Sequence, residues 1–360
     1  MPDFTKSESI GPESTSPGVL EVRNLTKSFK VPAGKDGNTQ LRALDGINLD
    51  LARGETLGLV GESGCGKSTL ARTLMMLERP DEGTITWDGI DPYTLKGKDM
   101  LALRRRVQMV FQDPYASLNA RMTAGEIISE PWLTHKGLYK SKRDRAARVR
   151  ELLQLVGLRP SDEHRSPQEF SGGQRQRLGI ARALALRPSV LICDEPVSAL
   201  DLSVQAQVLN LLNELQQELG SSYFFISHDL SVVRHVADRV AVMYLGRMVE
   251  TGPTETVFDS PLHPYTEALM SAAPTLDPSS RRTRIILEGE VPSPLNPPSG
   301  CRFRTRCVHA TDECAQSLPP VATGVAPGKS IRAALGESTH IAECFHPRTA
   351  VSLGMPATVG

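Results

Sequence analysis

Apolar positions along the chain show no regular spacing until residue 19. The first eighteen residues are rich in Ser, Thr, Pro, Gly and Glu. They read as a disordered lead, because they hold too little apolar surface to offset chain entropy. Val19-Leu20-Glu21-Val22 then alternates as a strand does. A second strand is expected near Leu41–Leu51, with the turn residues Gly34, Asp36, Gly37 and Asn38 before it. Glu55–Val60 is expected to be a strand leading into a Gly-rich loop, and Val190–Cys193, Tyr223–Ser227 and Val240–Tyr244 are short apolar runs, the pattern of strands buried on both faces. A helix is expected from Lys67 to about Leu77. Another, Ser203–Leu219, places Val208, Leu211, Leu212, Leu215 and Leu219 on one face. Residues 113–187 read as mostly helical. Leu152, Leu155 and Val156 there keep helical spacing beside the charged run Lys142–Arg150, which is read as a solvated face. Strands alternating with helices predict an α/β fold with a mainly parallel sheet. Past residue 260 prolines multiply and periodicity fades. The expected organisation is a lead (1–18), a main domain (19–260, helical part about 113–187), a small C-terminal module (261–346) and a tail (347–360).

Composition narrows the classes. Apolar residues make up 39% and charged residues 23% of the chain, as in folded soluble proteins. Lys plus Arg and Asp plus Glu are both 41, so bulk charge gives no case for nucleic acid. No stretch nears the roughly 20 apolar residues of a membrane-spanning helix. The start lacks the basic-then-apolar order of a secretory signal. Work at a membrane would therefore be that of a peripheral subunit.

The chemistry concentrates in a few segments. Gly61, Glu62, Ser63, Gly64, Cys65, Gly66, Lys67, Ser68 and Thr69 fit G-x-x-x-x-G-K-[ST] between an expected strand and helix. Backbone N–H groups there can wrap phosphates. Lys67 would reach the β- and γ-phosphates and the Ser68 hydroxyl would bind Mg²⁺. Asp194 and Glu195 end the run Val190–Cys193. Asp194 suits Mg²⁺, and Glu195 suits orienting or deprotonating an attacking water. Ser171, Gly172, Gly173 and Gln174 open a further expected helix and offer a second anion site, or simply a helix cap.

With these motifs in order, the sequence resembles the ATP-binding-cassette (ABC) ATPases, and within them the nucleotide-binding subunits of bacterial dipeptide and oligopeptide importers. The resemblance runs from about 19 to 346. It implies further roles residue by residue. Ser171–Gln174 is the family signature, which meets the partner subunit's ATP. Gln112 is the Q-loop glutamine, a Mg²⁺ contact and a link to membrane subunits. Asp201 closes the D-loop, His228 is the switch histidine at the γ-phosphate, and Phe29 stacks on adenine. The segments Phe111–Asn119, Glu195–Gln205 and His263–Thr266 favour the F-type ATPase over its D-type paralogue. Two departures, Phe170 before the signature and Ser166 before Pro167, remove no catalytic group. The resemblance implies ATP and Mg²⁺ as cofactors and a sandwich of two ATP molecules with a paralogous D-type ATPase. It also implies two transmembrane permease subunits, an extracytoplasmic solute-binding protein and a place on the cytoplasmic face of the inner membrane. Import of glutathione, nickel complexes, opines or antimicrobial peptides would use the same ATPase. A soluble ABC ATPase on nucleic acid or ribosomes is disfavoured by the lack of heptads and the single cassette.

Six cysteines are too few for a disulfide scaffold. Cys65 and Cys193 read as small buried residues. Cys301, Cys307, Cys314 and Cys344 fit a Zn²⁺ site, an iron–sulfur cluster or plain buried thiols. The resemblance implies a [4Fe–4S] cluster, with Zn²⁺ as the alternative. His309 and His346 would be substitutes in a zinc site, and Arg302, Arg304 and Arg306 would offset a cluster's charge.

Overall fold

The structure is a computed structural model and describes residues 18–32, 38–139, 141–272, 284–323 and 340–348. Of the expected lead, only Gly18 is described, and it opens the first strand. Gly34, Asp36, Gly37 and the tail beyond residue 348 lie outside the described residues. The described strands are β1 (Gly18–Pro32), β2 (Asn38–Ala52), β3 (Thr56–Val60), β4 (Glu82–Trp87), β5 (Val107–Val110), β6 (Val190–Asp194), β7 (Ser222–Ile226), β8 (Arg239–Tyr244), β9 (Arg247–Pro253), β10 (Val321–Thr323) and β11 (Ile341–Glu343). They form two sheets. A three-stranded antiparallel sheet has the order β2-β1-β4, with Leu20 opposite Leu51, Val22 opposite Leu49 and Leu25 opposite Ile47. The larger sheet runs β10-β11-β9-β8-β3-β7-β6-β5.

The apolar runs become the centre of the larger sheet. β3, β6 and β7 are buried along their whole length, and β5 to β8 with β3 pair in parallel. Alternation along each strand divides these residues between two cores. Leu57, Leu59, Val190, Ile192, Phe224, Ile226, Ala241 and Met243 face the three-stranded sheet and the helix Lys67–Leu74. Val60, Leu191, Cys193, Tyr223, Phe225, Val240 and Val242 face the helices of the second layer, including Gly172–Leu184 and Leu202–Leu219. Burying one such side chain stabilises the fold by about 1.5–3 kcal/mol. The α/β class with a parallel centre is therefore present, with a separate antiparallel sheet that the alternation of Val19–Val22 alone does not reveal.

Two helix boundaries follow from backbone geometry. Lys67–Leu74 stops before Leu77, because Met75 caps it and Met76 takes a positive φ of 58°. Leu202–Leu219 ends on Gly220, whose φ of 65° suits a residue without a Cβ. Between residues 113 and 187 the helices Pro114–Ser117, Ala124–Ser129, Pro131–Thr134, Lys142–Leu155 and Gly172–Leu184 follow one another.

The C-terminal residues are built onto this frame. β11 pairs with β9, placing Ala342 opposite Glu250 and Ile341 opposite Thr251. Glu250 is buried yet fully engaged. It accepts the N–H groups of Leu262 and His263, both at 2.8 Å, and pairs with His340 at 2.6 Å. The rings of Tyr244, Tyr265 and Phe303 meet with centroids 4.7 to 5.4 Å apart, joining β8, the helix Pro264–Ala272 and the segment after residue 300. Among the described residues no helix is long and apolar enough to cross a membrane.

Candidate functional site

The motif residues gather at the C-terminal ends of the parallel strands, where ligands bind in open α/β sheets. β3 leads into the loop Gly61–Gly66 and then the helix that Lys67 opens. The loop follows this path because its glycines allow it. Gly66 has φ +114°, and a Cβ there would lie 2.5 Å from the Ala43 carbonyl oxygen. A Cβ on Gly61 would lie 2.2 Å from the Met243 carbonyl oxygen. Any side chain at either point would push the loop off β2 and β8. The Lys67 ammonium is buried and donates to the carbonyls of Gly61 at 2.7 Å and Glu62 at 3.0 Å. Ser68 and Thr69 follow in the first turn of the helix, whose N–H groups favour an anion.

β6 and β7 lie side by side, Asp194 opposite Ile226, so the ends of both strands carry chemistry. Burial, together with the Glu195 charge, pushes the Asp194 carboxyl up, against the Lys67 and Arg72 cations and the Ser68 hydroxyl. Its Oδ1 is buried and makes no hydrogen bond. An orphaned carboxylate oxygen beside a hydroxyl and a phosphate-type loop is a donor set suited to Mg²⁺. Glu195 has φ +46°, and its N–H donates to the Ile226 carbonyl at 2.9 Å. Its carboxylate is clamped from two sides. Gln112 Nε2 donates to Oε2 at 2.8 Å, and His228 Nδ1 stands 3.2 Å from Oε1. Residues 83 and 33 positions away along the chain thus meet on one carboxylate.

The signature residues make a different local structure. Ser171 caps the helix Gly172–Leu184, with a reciprocal pair of bonds between Ser171 and Gln174. Gly172 and Gly173 lie against Leu200 and Val204; a Cβ on Gly173 would sit 2.3 Å from Val204 Cγ1. Asp201 caps the helix Leu202–Leu219, accepting from Val204 N–H at 3.0 Å and the Ser203 hydroxyl at 2.8 Å. Those two bonds hold its carboxyl below the usual range. The side-chain hydrogen bonds of Ser171, Gln174 and Asp201 close within the first turns of their own helices, not on the Lys67–Glu195 cluster. Phe29 is half-buried on β1, with the Lys27 ammonium 5.3 Å from its ring centre.

The comparisons with known proteins agree with this arrangement. The family described as ABC transporter matches residues 44–198, and the family described as oligopeptide/dipeptide transporter, C-terminal region, matches residues 249–314. The probable peptide ABC transporter ATP-binding protein y4tS of Sinorhizobium fredii is 52% identical over 96% of this chain and 97% of its own length. The chain belongs to the ABC transporter ATP-binding proteins. The oligopeptide transport ATP-binding protein OppF of Salmonella typhimurium is 54% identical over 84% of this chain and 92% of its own. Among solved structures, the ATP-binding cassette MJ0796, dimeric and bound to ADP and Pi, superposes with a TM-score of 0.58 at 30% identity, covering 65% of this chain and 98% of that one. This ABC ATPase thus carries the cassette fold and the ATP-hydrolysing activity of its family.

The metal reading of the C-terminal cysteines is corrected. Among the described residues no group of three or more His, Cys, Asp or Glu side chains is placed to hold a metal ion, so neither a [4Fe–4S] cluster nor Zn²⁺ is supported at Cys301, Cys307, Cys314 and Cys344. The thiols instead serve local packing. Cys344 Sγ accepts the His346 N–H at 3.3 Å, Cys314 Sγ lies 3.6 Å from the Thr311 hydroxyl, and the Cys301 N–H donates to the Cys314 carbonyl. Burial pushes the Cys301 and Cys307 thiols up and the Cys344 thiol to about 12. His346 bonds the Thr311 hydroxyl at 2.9 Å. The arginines do not surround a cluster either. Arg302 pairs with Asp45 and the Leu245 carbonyl, Arg304 with Ser299, and Arg306 with Glu62. Cys65 and Cys193 are buried, as small apolar residues are.

Sequence reading missed two features of this site. One is the bridging of Glu195 by Gln112 and His228. The other is the attachment of the C-terminal segment to the loop through Glu62. Neither leaves a local pattern.

Proposed function

We propose that this chain is the ATP-hydrolysing subunit of a di- or oligopeptide importer. The observation that carries the reading is the Glu195 carboxylate, clamped by Gln112 and His228 beside the Lys67 loop. A general base must stand ready and oriented, and two independent side chains orient this one. In this reading Gly61–Thr69 wraps the phosphates, Lys67 binds the β- and γ-oxygens, and Phe29 stacks on adenine. Ser68, Gln112 and Asp194 would hold Mg²⁺, which neutralises phosphate charge when bound. Glu195 takes a proton from the attacking water as its oxygen bonds the γ-phosphorus and the bond to the β–γ bridging oxygen breaks, leaving ADP. His228, reaching the γ-phosphate, orients that attack.

The far side of the γ-phosphate would be closed by the signature segment of a paralogous D-type ATPase, while Ser171–Gln174 and Asp201 of this chain would close the ATP site of that partner, expelling water and strengthening the local electrostatics. Hydrolysis would reopen the pair and pass motion through the segment after Gln112 to two transmembrane permease subunits on the cytoplasmic face of the inner membrane, fed by a solute-binding protein. The lead, main domain, C-terminal module and tail would be divided as the sequence suggests. Support for the peptide substrate comes from the OppF relative and the C-terminal family match. Uptake of labelled oligopeptides in cells carrying Lys67→Ala tests it: uptake should fall to background, and unchanged uptake would refute the peptide reading.

A further inference from the structure

Glu62 occupies a position that the phosphate-loop motif leaves unspecified, yet each of its polar groups is engaged. Its carbonyl accepts the Lys67 ammonium at 3.0 Å. Its N–H donates to the Tyr265 hydroxyl at 3.1 Å. Its carboxylate takes both oxygens to Arg306 Nη1, at 3.0 and 3.1 Å. Tyr265 and Arg306 both lie in the C-terminal region, 203 and 244 positions on. The Arg306 side chain is only 9% exposed, and the segment that bears it is anchored by Phe303 in the ring cluster with Tyr244 and Tyr265. Arg302, one turn earlier, holds Asp45 and the Leu245 carbonyl. The neighbouring Gly246 N–H bonds the Cys65 carbonyl at 2.8 Å, inside the same loop. The C-terminal segment therefore grips the phosphate loop at one end directly and at the other through Gly246.

The charge at position 62 makes this grip more than packing. The loop is built to attract an anion, through N–H groups, a helix N-terminus and Lys67. A free carboxylate within it would oppose a triphosphate and compete for the Lys67 ammonium, whose present partner is the carbonyl of the same residue. We propose that Arg306 is a positioning residue for ATP binding: it neutralises the Glu62 carboxylate and holds it away from the phosphates and Lys67. The C-terminal segment thereby tunes the nucleotide affinity of a loop it does not belong to. This rests on the assignment of Gly61–Thr69 as the phosphate loop.

A double-mutant cycle on the full-length chain tests it, with the Mg-ATP dissociation constant read by calorimetry and KM and kcat read in the assembled transporter. Arg306→Ala should weaken Mg-ATP binding roughly ten-fold, the scale of one unscreened charge near a polyphosphate at intermediate dielectric. KM should rise with kcat little changed. In the Glu62→Gln background, the same substitution should cost less than about two-fold, the limit of ordinary additivity. Equal weakening in both backgrounds, or none in either, would overturn the proposal, because a purely structural role does not depend on the charge at position 62. Should Arg306→Ala not fold, Arg306→Gln carries the same comparison with a polar side chain of similar length. Lys67→Ala serves as the separate control: persistent tight binding in that variant would sink the phosphate-loop assignment itself, whatever the cycle shows.

Discussion

Replacing Glu195 by Gln removes the proposed base while leaving its surroundings nearly intact. The carboxylate has two neighbours, Gln112 Nε2 at 2.8 Å and His228 Nδ1 at 3.2 Å. A glutamine amide can keep both: its carbonyl accepts from Gln112, and its NH₂ donates to Nδ1 when the imidazole proton sits on Nε2. The positive φ of 46° is no harder for Gln than for Glu. What disappears is the capacity to accept a proton from water. Loss of a positioned general base costs 10²- to 10⁴-fold in rate, or about 3–5 kcal/mol on the barrier. Glu195→Gln should therefore lower phosphate release by the assembled transporter at least roughly 10²-fold. Mg-ATP affinity and the thermal midpoint should stay close to those of the unsubstituted chain. Turnover within about ten-fold of normal would refute the assignment of the base. So would a large fall in the thermal midpoint, since the rate loss would then report misfolding and not proton chemistry.

Three further outcomes are expected. Asp194→Asn should raise the Mg²⁺ concentration needed for half-maximal ATPase roughly ten-fold without lowering the thermal midpoint, because it removes a buried carboxylate whose Oδ1 has no partner; an unchanged Mg²⁺ titration would contradict this. Gly173→Ala places a Cβ 2.3 Å from Val204 Cγ1 and should cost about 1–3 kcal/mol in urea unfolding; adding Val204→Ala should recover most of it, and no recovery would mean that the crowding lies elsewhere. His263 is fully buried, and burial lowers its imidazole from the ordinary 6.5 to about 4, against the pull of the Glu250 carboxylate. Below 6.5 the unfolded chain takes up a proton that the folded chain refuses, so this histidine's contribution is complete above 6.5 and lost progressively as pH falls toward 4, by up to about 3 kcal/mol. Urea titrations from pH 7 to 4.5 should show that slope flattened in His263→Phe, and an unaltered slope would assign it to other groups.

How much of this was legible depends on whether the information is local. β3, β6, β7 and β8 are buried on both faces, so their sequences are plain apolar runs, and the motif residues at their ends are recognised by type and order. β4 buries only Ile85 and Trp87 and begins with exposed Glu82 and Gly83, so its pattern is too thin to read. β9 carries a buried glutamate that only the distant Leu262, His263 and His340 make acceptable. β10 and β11 are three residues each and exist because β9 offers an edge. The site divides in the same way. A loop that wraps phosphate has to contain glycines, a lysine and a hydroxyl in fixed positions, so those positions carry their meaning in the sequence. The residues that hold the loop are under no such constraint. Arg306 can act on Glu62 from 244 positions away because folding, not spacing, brings them together, and in the sequence it reads only as one arginine in a basic, cysteine-containing stretch. Cysteine spacing misleads for the converse reason. Four thiols in one module suggest a ligand shell, but among the described residues no such group is placed to hold a metal ion, and Cys314 and Cys344 sit beside a hydroxyl and an N–H. Motif order therefore identifies the chemistry of the nucleotide site, whereas the attachment of the C-terminal segment to that site is a property of the folded chain alone.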